Sequence, residues 1–144
     1  MTSDPLQELG SDLTLYAARL VRLLRRERPQ PAGLRVLSIL DETGPLGVGQ
    51  LAGVDQCSQP TMTGIVRGLV ERGWVTKTGD PADARASRID LTSAGRRVLA
   101  DARAANGALV ADRLRAAGGS AEQLDAAVAV LRTILDNDKE ASTP

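Results

Sequence analysis

Between residues 48 and 92 the chain changes its repeat twice, and that order limits the fold more than any other feature. Val48, Leu51, Ala52 and Val54 fall on one inner side of a short helix. After the polar connection Val54-Asp55-Gln56-Cys57, Met62, Ile65, Val66, Leu69 and Val70 do the same. Steps of three and four place apolar side chains on one helix face. Residues 74–77 and 87–91 then alternate as strands do. The alternation predicts Trp74 and Thr76 inward on the first strand, and Ile89 and Leu91 inward on the second. Residues 78–86 read as a loop, because Gly79, Asp80 and Pro81 are turn residues. Ser58 is placed to cap the second helix, Pro60 suits its first turn, and Gly73 suits its end. The sum is a helix-turn-helix followed by a β-hairpin.

Long helices flank this unit. Residues 6–28 carry Leu6, Leu9, Leu13, Tyr16, Leu20 and Leu23 at helical steps, and Pro29 and Pro31 stop them. Five arginines (19, 22, 25, 26 and 28) crowd the end of that helix. They read either as a second phosphate contact or as a solvated face that suits the helix dipole. Residues 34–42 form a shorter helix ended by Gly44-Pro45. Thr92 is placed to cap a helix over 93–117, which Gly118-Gly119 breaks. Ser120 and Gln123 have capping-box spacing for a last helix to residue 136. The fold class is therefore mainly α with a small β-hairpin wing: a winged helix-turn-helix plus terminal dimerisation helices. Its parts are an N-terminal dimerisation helix (1–30), the winged unit (31–95) and C-terminal dimerisation helices (96–144). The apolar stripes at both chain ends each need a partner, and a second copy supplies one.

Composition removes several function classes. There is no histidine and Cys57 is the single cysteine. That excludes intrachain disulfides, His/Cys zinc sites and histidine-dependent catalytic triads. No Gly-rich phosphate loop is present, and Asp80, Asp83 and Asp90 sit in a hairpin rather than a cleft. The reading is a non-enzyme without cofactor or metal. No apolar run suits a membrane span and no signal pattern opens the chain, so a soluble, cytoplasmic protein is expected. Net charge is zero, but its distribution is uneven. Residues 59–97 carry seven basic groups against four acidic ones, whereas residues 98–144 carry five against seven. The positive excess is local to the second helix and the hairpin.

A helix that reads DNA needs small polar groups and arginine on the outward side of its first turns. Ser58, Gln59, Thr61, Thr63 and Arg67 meet that need. Lys77, Arg85 and Arg88 lie on the hairpin, from which arginine can reach a minor groove. Asp83 is placed to pair with Arg85 or another arginine and shape the wing. Each of these residues also has a plain reading, as a solvated polar side chain or a surface ion pair of little energetic worth.

These residues resemble those of the multiple-antibiotic-resistance regulator (MarR) family. The carriers are Leu51-Ala52, Ser58-Gln59-Pro60-Thr61-Met62-Thr63, Gly73-Trp74-Val75 and Asp83-Ala84-Arg85, followed after five residues by Leu91-Thr92 and then Gly95. The flanking helices match in order and length. The resemblance implies a homodimeric regulator of transcription on double-stranded DNA, usually a repressor. It also implies release by a small apolar or phenolic effector held between the dimerisation helices and the DNA-binding lobe. It makes Arg85 the wing arginine and Asp83 its structural partner, with Thr61, Thr63 and Arg67 on the recognition helix. The chain departs from the pattern at Gln56, where related turns often carry Gly, and at Lys77, where Arg is commoner. With Tyr16 and Trp74 as the only aromatics, stacking on a phenolic ligand is limited. Two other readings stand beside this one: a winged protein-interaction module without DNA, and a redox regulator acting through Cys57. In the second, oxidation next to the recognition helix would disturb DNA binding; the plain alternative is a thiol filling a small apolar slot.

Overall fold

The computed structural model describes the backbone of residues 2–80 and 83–141, and the side chains of residues 2–79 and 87–136. Elements follow in the order α1 (Pro5–Glu27), α2 (Leu34–Thr43), α3 (Val48–Asp55), α4 (Gln59–Glu71), β1 (Val75–Asp80), β2 (Asp83–Leu91), α5 (Ser93–Ala116) and α6 (Ala121–Ala141). Two compact units result, Met1–Asn106 and Gly107–Pro144.

The first unit holds the core. Val36, Leu37 and Leu40 of α2 pack with Leu51 and Ala52 of α3 and with Met62, Val66 and Leu69 of α4. Val75, Ile89 and Leu91 of the hairpin and Leu99 of α5 complete the cluster. Each aliphatic side chain so buried stabilises the fold by about 1.5–3 kcal/mol. Leu46, between α2 and α3, exchanges backbone hydrogen bonds with Ile89 in both directions (3.2 and 2.7 Å), which fastens the hairpin to the helices.

The hairpin corrects two sequence expectations. Its strands pair antiparallel from Val75↔Leu91 through Gly79↔Ser87, with a register shift between Gly79 and Asp80. Most of the stretch read as a loop, residues 78–86, is therefore strand. Turn-forming side chains did not prevent pairing, because the ladder is made by backbone groups. Val75 is buried and Thr76 is exposed, so the strand's inward face is the reverse of the one expected, while Trp74, just before the strand, is half-buried and packs against the core as expected. The cause lies one residue upstream. Gly73 is left-handed (φ 73°), with its N–H bonded to Val70 and that of Trp74 bonded to Leu69. This cap ends α4 and sets the phase in which the strand departs.

Val54 and Val70 are also exposed, 55% and 41%. In α3 the inward positions are Leu51, Ala52 and, four residues after Leu51, half-buried Asp55, which leaves Val54 outside. In α4 they are Met62, Val66 and Leu69, and Val70 falls beyond them.

The N-terminal helix α1 is capped by Asp4, whose carboxylate accepts from the Leu6 N–H at 3.0 Å, but it buries no residue. Leu6, Leu9, Leu15, Tyr16, Leu20 and Val21 are exposed. In the second unit, α6 begins with the Ser120–Gln123 capping box. The Gln123 N–H donates to Ser120 Oγ (3.2 Å) and the Ser120 N–H to Gln123 Oε1 (2.9 Å). The helix runs five residues past the expected end. Val128, Leu131, Ile134 and Leu135 of its stripe are exposed in the single chain.

Candidate nucleic-acid interface

Helix α4 is held from behind by Met62, Val66 and Leu69, which leaves Gln59, Thr61, Thr63, Gly64 and Arg67 on its open side. Its start is fixed by Ser58, whose Oγ accepts from the Thr61 N–H at 3.2 Å. The Ser58 and Thr61 hydroxyls share a hydrogen bond of 2.7 Å. One turn on, the Thr63 hydroxyl donates to the Gln59 carbonyl at 2.9 Å. Five of the sequence-selected residues, Ser58, Gln59, Thr61, Thr63 and Arg67, thus share one exposed helix start and the face behind it. Backbone N–H groups at such a start favour an anion.

The turn before α4 is closely specified. Gln56 adopts the left-handed conformation (φ 54°, ψ 44°), the only non-glycine to do so among the described residues. Its N–H bonds to Gly53 and that of Cys57 to Ala52 (3.3 and 3.0 Å). Gln56 thus holds, with a side chain, a conformation that glycine adopts at little cost. Cys57 is half-buried against the core.

On the hairpin, Lys77 pairs with Ile89 and Arg88 with Thr78. Successive residues alternate across a strand, so Lys77 lies on the face of Val75, Ile89 and Leu91, and Arg88 on the other. Both are exposed, and like Arg67 they make no ion pair among the described residues. The side chains of Asp83 and Arg85 lie outside the described residues; their backbone belongs to β2 rather than to a loop.

The motif residues after the hairpin tie the wing to the next helix. The Thr92 N–H donates to the Trp74 carbonyl (3.1 Å), and its hydroxyl accepts from the Gly95 N–H (3.0 Å). A side chain at Gly95 would overlap the Trp74 carbonyl oxygen, which explains why only glycine serves there. Arg72 lies over the Trp74 ring, 4.8 Å from its centre.

Two ion pairs were not visible in the sequence. Arg35 of α2 grips the carboxylate of Asp55, the last residue of α3, with Nε at 2.5 Å and Nη2 at 3.2 Å. Arg103 of α5 bonds Asp41 of α2 at 2.8 Å and reaches the Ser38 hydroxyl at 3.3 Å. Beside them, within the first unit, lies a cavity of about 680 Å³. Its apolar wall includes Val21, Leu24, Leu34, Ile65 and Leu99, and its charged groups are Arg25, Arg35, Arg103 and Asp55. No His/Cys/Asp/Glu group that could hold a metal occurs among the described residues. None of their helices is long and apolar enough to cross a membrane.

Comparison with known proteins places this architecture. The sequence model of the MarR family matches residues 30–87, from the segment before α2 into β2. An HTH-type transcriptional regulator of Mycobacterium leprae is 33% identical over 110 residues, spanning 74% of this chain and 77% of the relative. The chain belongs to the MarR family. It is a transcriptional regulator with a winged helix-turn-helix, in a family of regulators rather than enzymes. A second relative, the HTH-type regulator YpoP of Bacillus subtilis, is 38% identical over 64 residues, 44% of this chain and 45% of that one. Two solved structures share the fold. A MarR family protein of Bacillus stearothermophilus is 24% identical, with TM-score 0.67 and 99% of each chain covered. Wild-type MarR of Escherichia coli is 20% identical, with TM-score 0.66, covering 94% of this chain and 99% of that one.

Proposed function

We propose that two copies of the chain bind one DNA duplex as a repressor, each laying α4 in a major groove. The observation that carries this reading is the exposed start of α4, where Ser58, Gln59, Thr61, Thr63 and Arg67 are gathered on a helix locked from behind. Lys77 and Arg88, with Arg85 by the family pattern, supply phosphate or minor-groove contacts from the wing. Asp83 is assigned to shaping the wing. Two local basic patches on one duplex reconcile DNA binding with zero net charge.

The dimer rests on the terminal helices, residues 1–30 and 96–144. The leucines of α1 and the stripe of α6 are exposed in one copy, and a second copy would cover them. A small apolar effector that weakens DNA binding is assigned to the cavity beside Arg35 and Ile65. Its wall holds neither Tyr16 nor Trp74, so recognition there does not depend on stacking. Cys57, half-buried against the core, is assigned to packing rather than to redox sensing.

A gel-shift titration against the intergenic DNA beside the protein's own gene, repeated over a salt series, tests the reading. Specific binding that weakens steeply with salt supports it. Equal, weak affinity for unrelated duplexes would favour a protein-interaction module on the same fold.

A further inference from the structure

The DNA-binding face uses none of the five arginines at the end of α1, yet three of them are regularly placed. At about 100° per residue, Arg19, Arg22 and Arg26 fall on one side of the helix. Asp4, Glu8 and Asp12 fall on that same side in its first half. The leucine stripe assigned to the dimer, Leu6, Leu9, Leu13 and Leu20, lies roughly 130° away round the helix. Leu24, which lines the cavity, lies farther round still. The charged side therefore faces away from the stripe and from the chain's own core. All six of its charged residues are exposed. Glu8, Asp12, Arg22 and Arg26 make no ion pair among the described residues.

A merely solvated face needs no order, but this one is segregated and symmetric. Leu15, 52% exposed, sits at its middle. Glu8 lies seven residues before Leu15 and Arg22 seven after it. Asp4 and Arg26 lie eleven residues to either side, and Asp12 and Arg19 three and four. Turned end for end about Leu15, the helix carries its acids onto its arginines. Glu8 and Arg22 each lie about 10.5 Å along the axis from Leu15. Packed helices run about 8–10 Å apart, a gap that arginine and glutamate side chains cross.

We propose that this side of α1 is a second contact between copies of the chain, in which two α1 helices pair antiparallel about a two-fold axis at Leu15. Glu8 then faces Arg22 of the second copy, Asp12 faces Arg19 of the second copy, and the cap Asp4 faces Arg26 of the second copy, each pair occurring twice. Parallel pairing would set like charges together, so the pattern fixes the direction. The same patch meets itself, so the contact closes on two helices. It leaves the leucine stripe to the dimer proposed above and joins one dimer to the next. Exposed ion pairs are individually weak, so the joint is slight between free dimers. Two dimers on neighbouring sites of one duplex hold it at a high effective concentration, and there it makes their binding cooperative. Only this last step rests on the DNA-binding reading.

The test is sedimentation equilibrium of the full-length protein at submillimolar concentration. The wild type should associate beyond the dimer in low salt, at least tenfold more tightly than in high salt. Arg19→Glu/Arg22→Glu/Arg26→Glu should lose that association, and so should Glu8→Lys/Asp12→Lys. Mixed together, the two altered proteins should associate at least tenfold more tightly than either does alone. Helix α1 buries no residue, so neither set of changes disturbs the core. On a duplex with two adjacent sites, the wild type should fill the second at least tenfold more tightly than a lone site, and neither altered protein alone should show that gain. A wild type without salt-sensitive association overturns the proposal, and so does a mixture that associates no better than its parts. Arginine reversal that weakens binding to a lone site, in a protein that does not associate, would assign this side to DNA phosphates instead. Failure of the DNA-binding reading is separately visible: the wild type would ignore DNA while the mixing experiment still decides the contact.

Discussion

The hydroxyl of Thr92 donates to the carbonyl oxygen of Gly73 at 2.6 Å, across nineteen residues of sequence. The same hydroxyl oxygen accepts from the Gly95 N–H, so one side chain joins the cap of α4, the hairpin and the start of α5. Leu91-Thr92 and Gly95, which stood out in the sequence as a pattern, are a mechanical joint.

Breaking that joint should destabilise without touching the recognition face. Thr92→Val leaves two backbone groups without their partner and should lower stability by about 1–3 kcal/mol. Gly95→Ala must push α5 off the Trp74 carbonyl and should cost about 1–3 kcal/mol or more. Urea titration followed by circular dichroism measures both. A Gly95→Ala protein as stable as wild type would contradict that packing.

Arg67→Ala should do the opposite. Arg67 is exposed and unpaired among the described residues, so stability should stay within about 0.5 kcal/mol of wild type. DNA affinity should fall, and the slope of log affinity against log salt should shrink by about 0.9 for each phosphate that Arg67 neutralises. An unchanged slope and affinity would remove Arg67 from the interface.

Charge placed on the α6 stripe should split the proposed dimer. Ile134 is 54% exposed in one copy, so Ile134→Asp creates no buried charge within the chain. Sedimentation velocity at micromolar concentration should report monomer, and operator binding should fall with it. A dimer that survives would move the subunit contact elsewhere.

The Gln56 turn offers a gain. A non-glycine residue in the left-handed conformation costs roughly 1–2 kcal/mol, part of which glycine gives back through unfolded-state entropy. Gln56→Gly should therefore leave stability unchanged or raise it by up to about 1 kcal/mol, as thermal unfolding would show. A large loss would mean that the glutamine side chain holds the turn.

The helices were legible because periodicity and burial share one cause. Val36, Leu37 and Leu40 in α2, and Met62, Val66 and Leu69 in α4, recur at the spacing that packs helices together, and the core contains them. The hairpin was less so. The strand phase is set by the left-handed cap at Gly73 and by pairing with Leu91, and neither appears in the alternation of Trp74 and Thr76. Ion pairs were illegible for a different reason. Arg35 and Asp55 are 20 residues apart, and Arg103 and Asp41 are 62 apart, so only the fold brings them together. Asp55 was read as part of a polar connection, although its place four residues after Leu51 on a helix pointed it inward. For the recognition helix, the sequence marked out Gln59, Thr61, Thr63 and Arg67 as outward. The structure adds how their first turn is bonded.

That bonding has a chemical consequence for what α4 can read. A free hydroxyl both donates and accepts. The proton of Thr63 is committed to the Gln59 carbonyl, so outward it offers lone pairs and a methyl group. Thr61 shares a 2.7 Å hydroxyl–hydroxyl bond with Ser58, in which either oxygen can donate. Against a base edge, Thr63 is then matched to the amino groups of adenine or cytosine or to the thymine methyl. Thr61, whose bond to Ser58 can run either way, can meet a donor or an acceptor. Two threonines two residues apart, identical as letters, differ in hydrogen-bonding freedom: one is fixed as an acceptor and the other can turn.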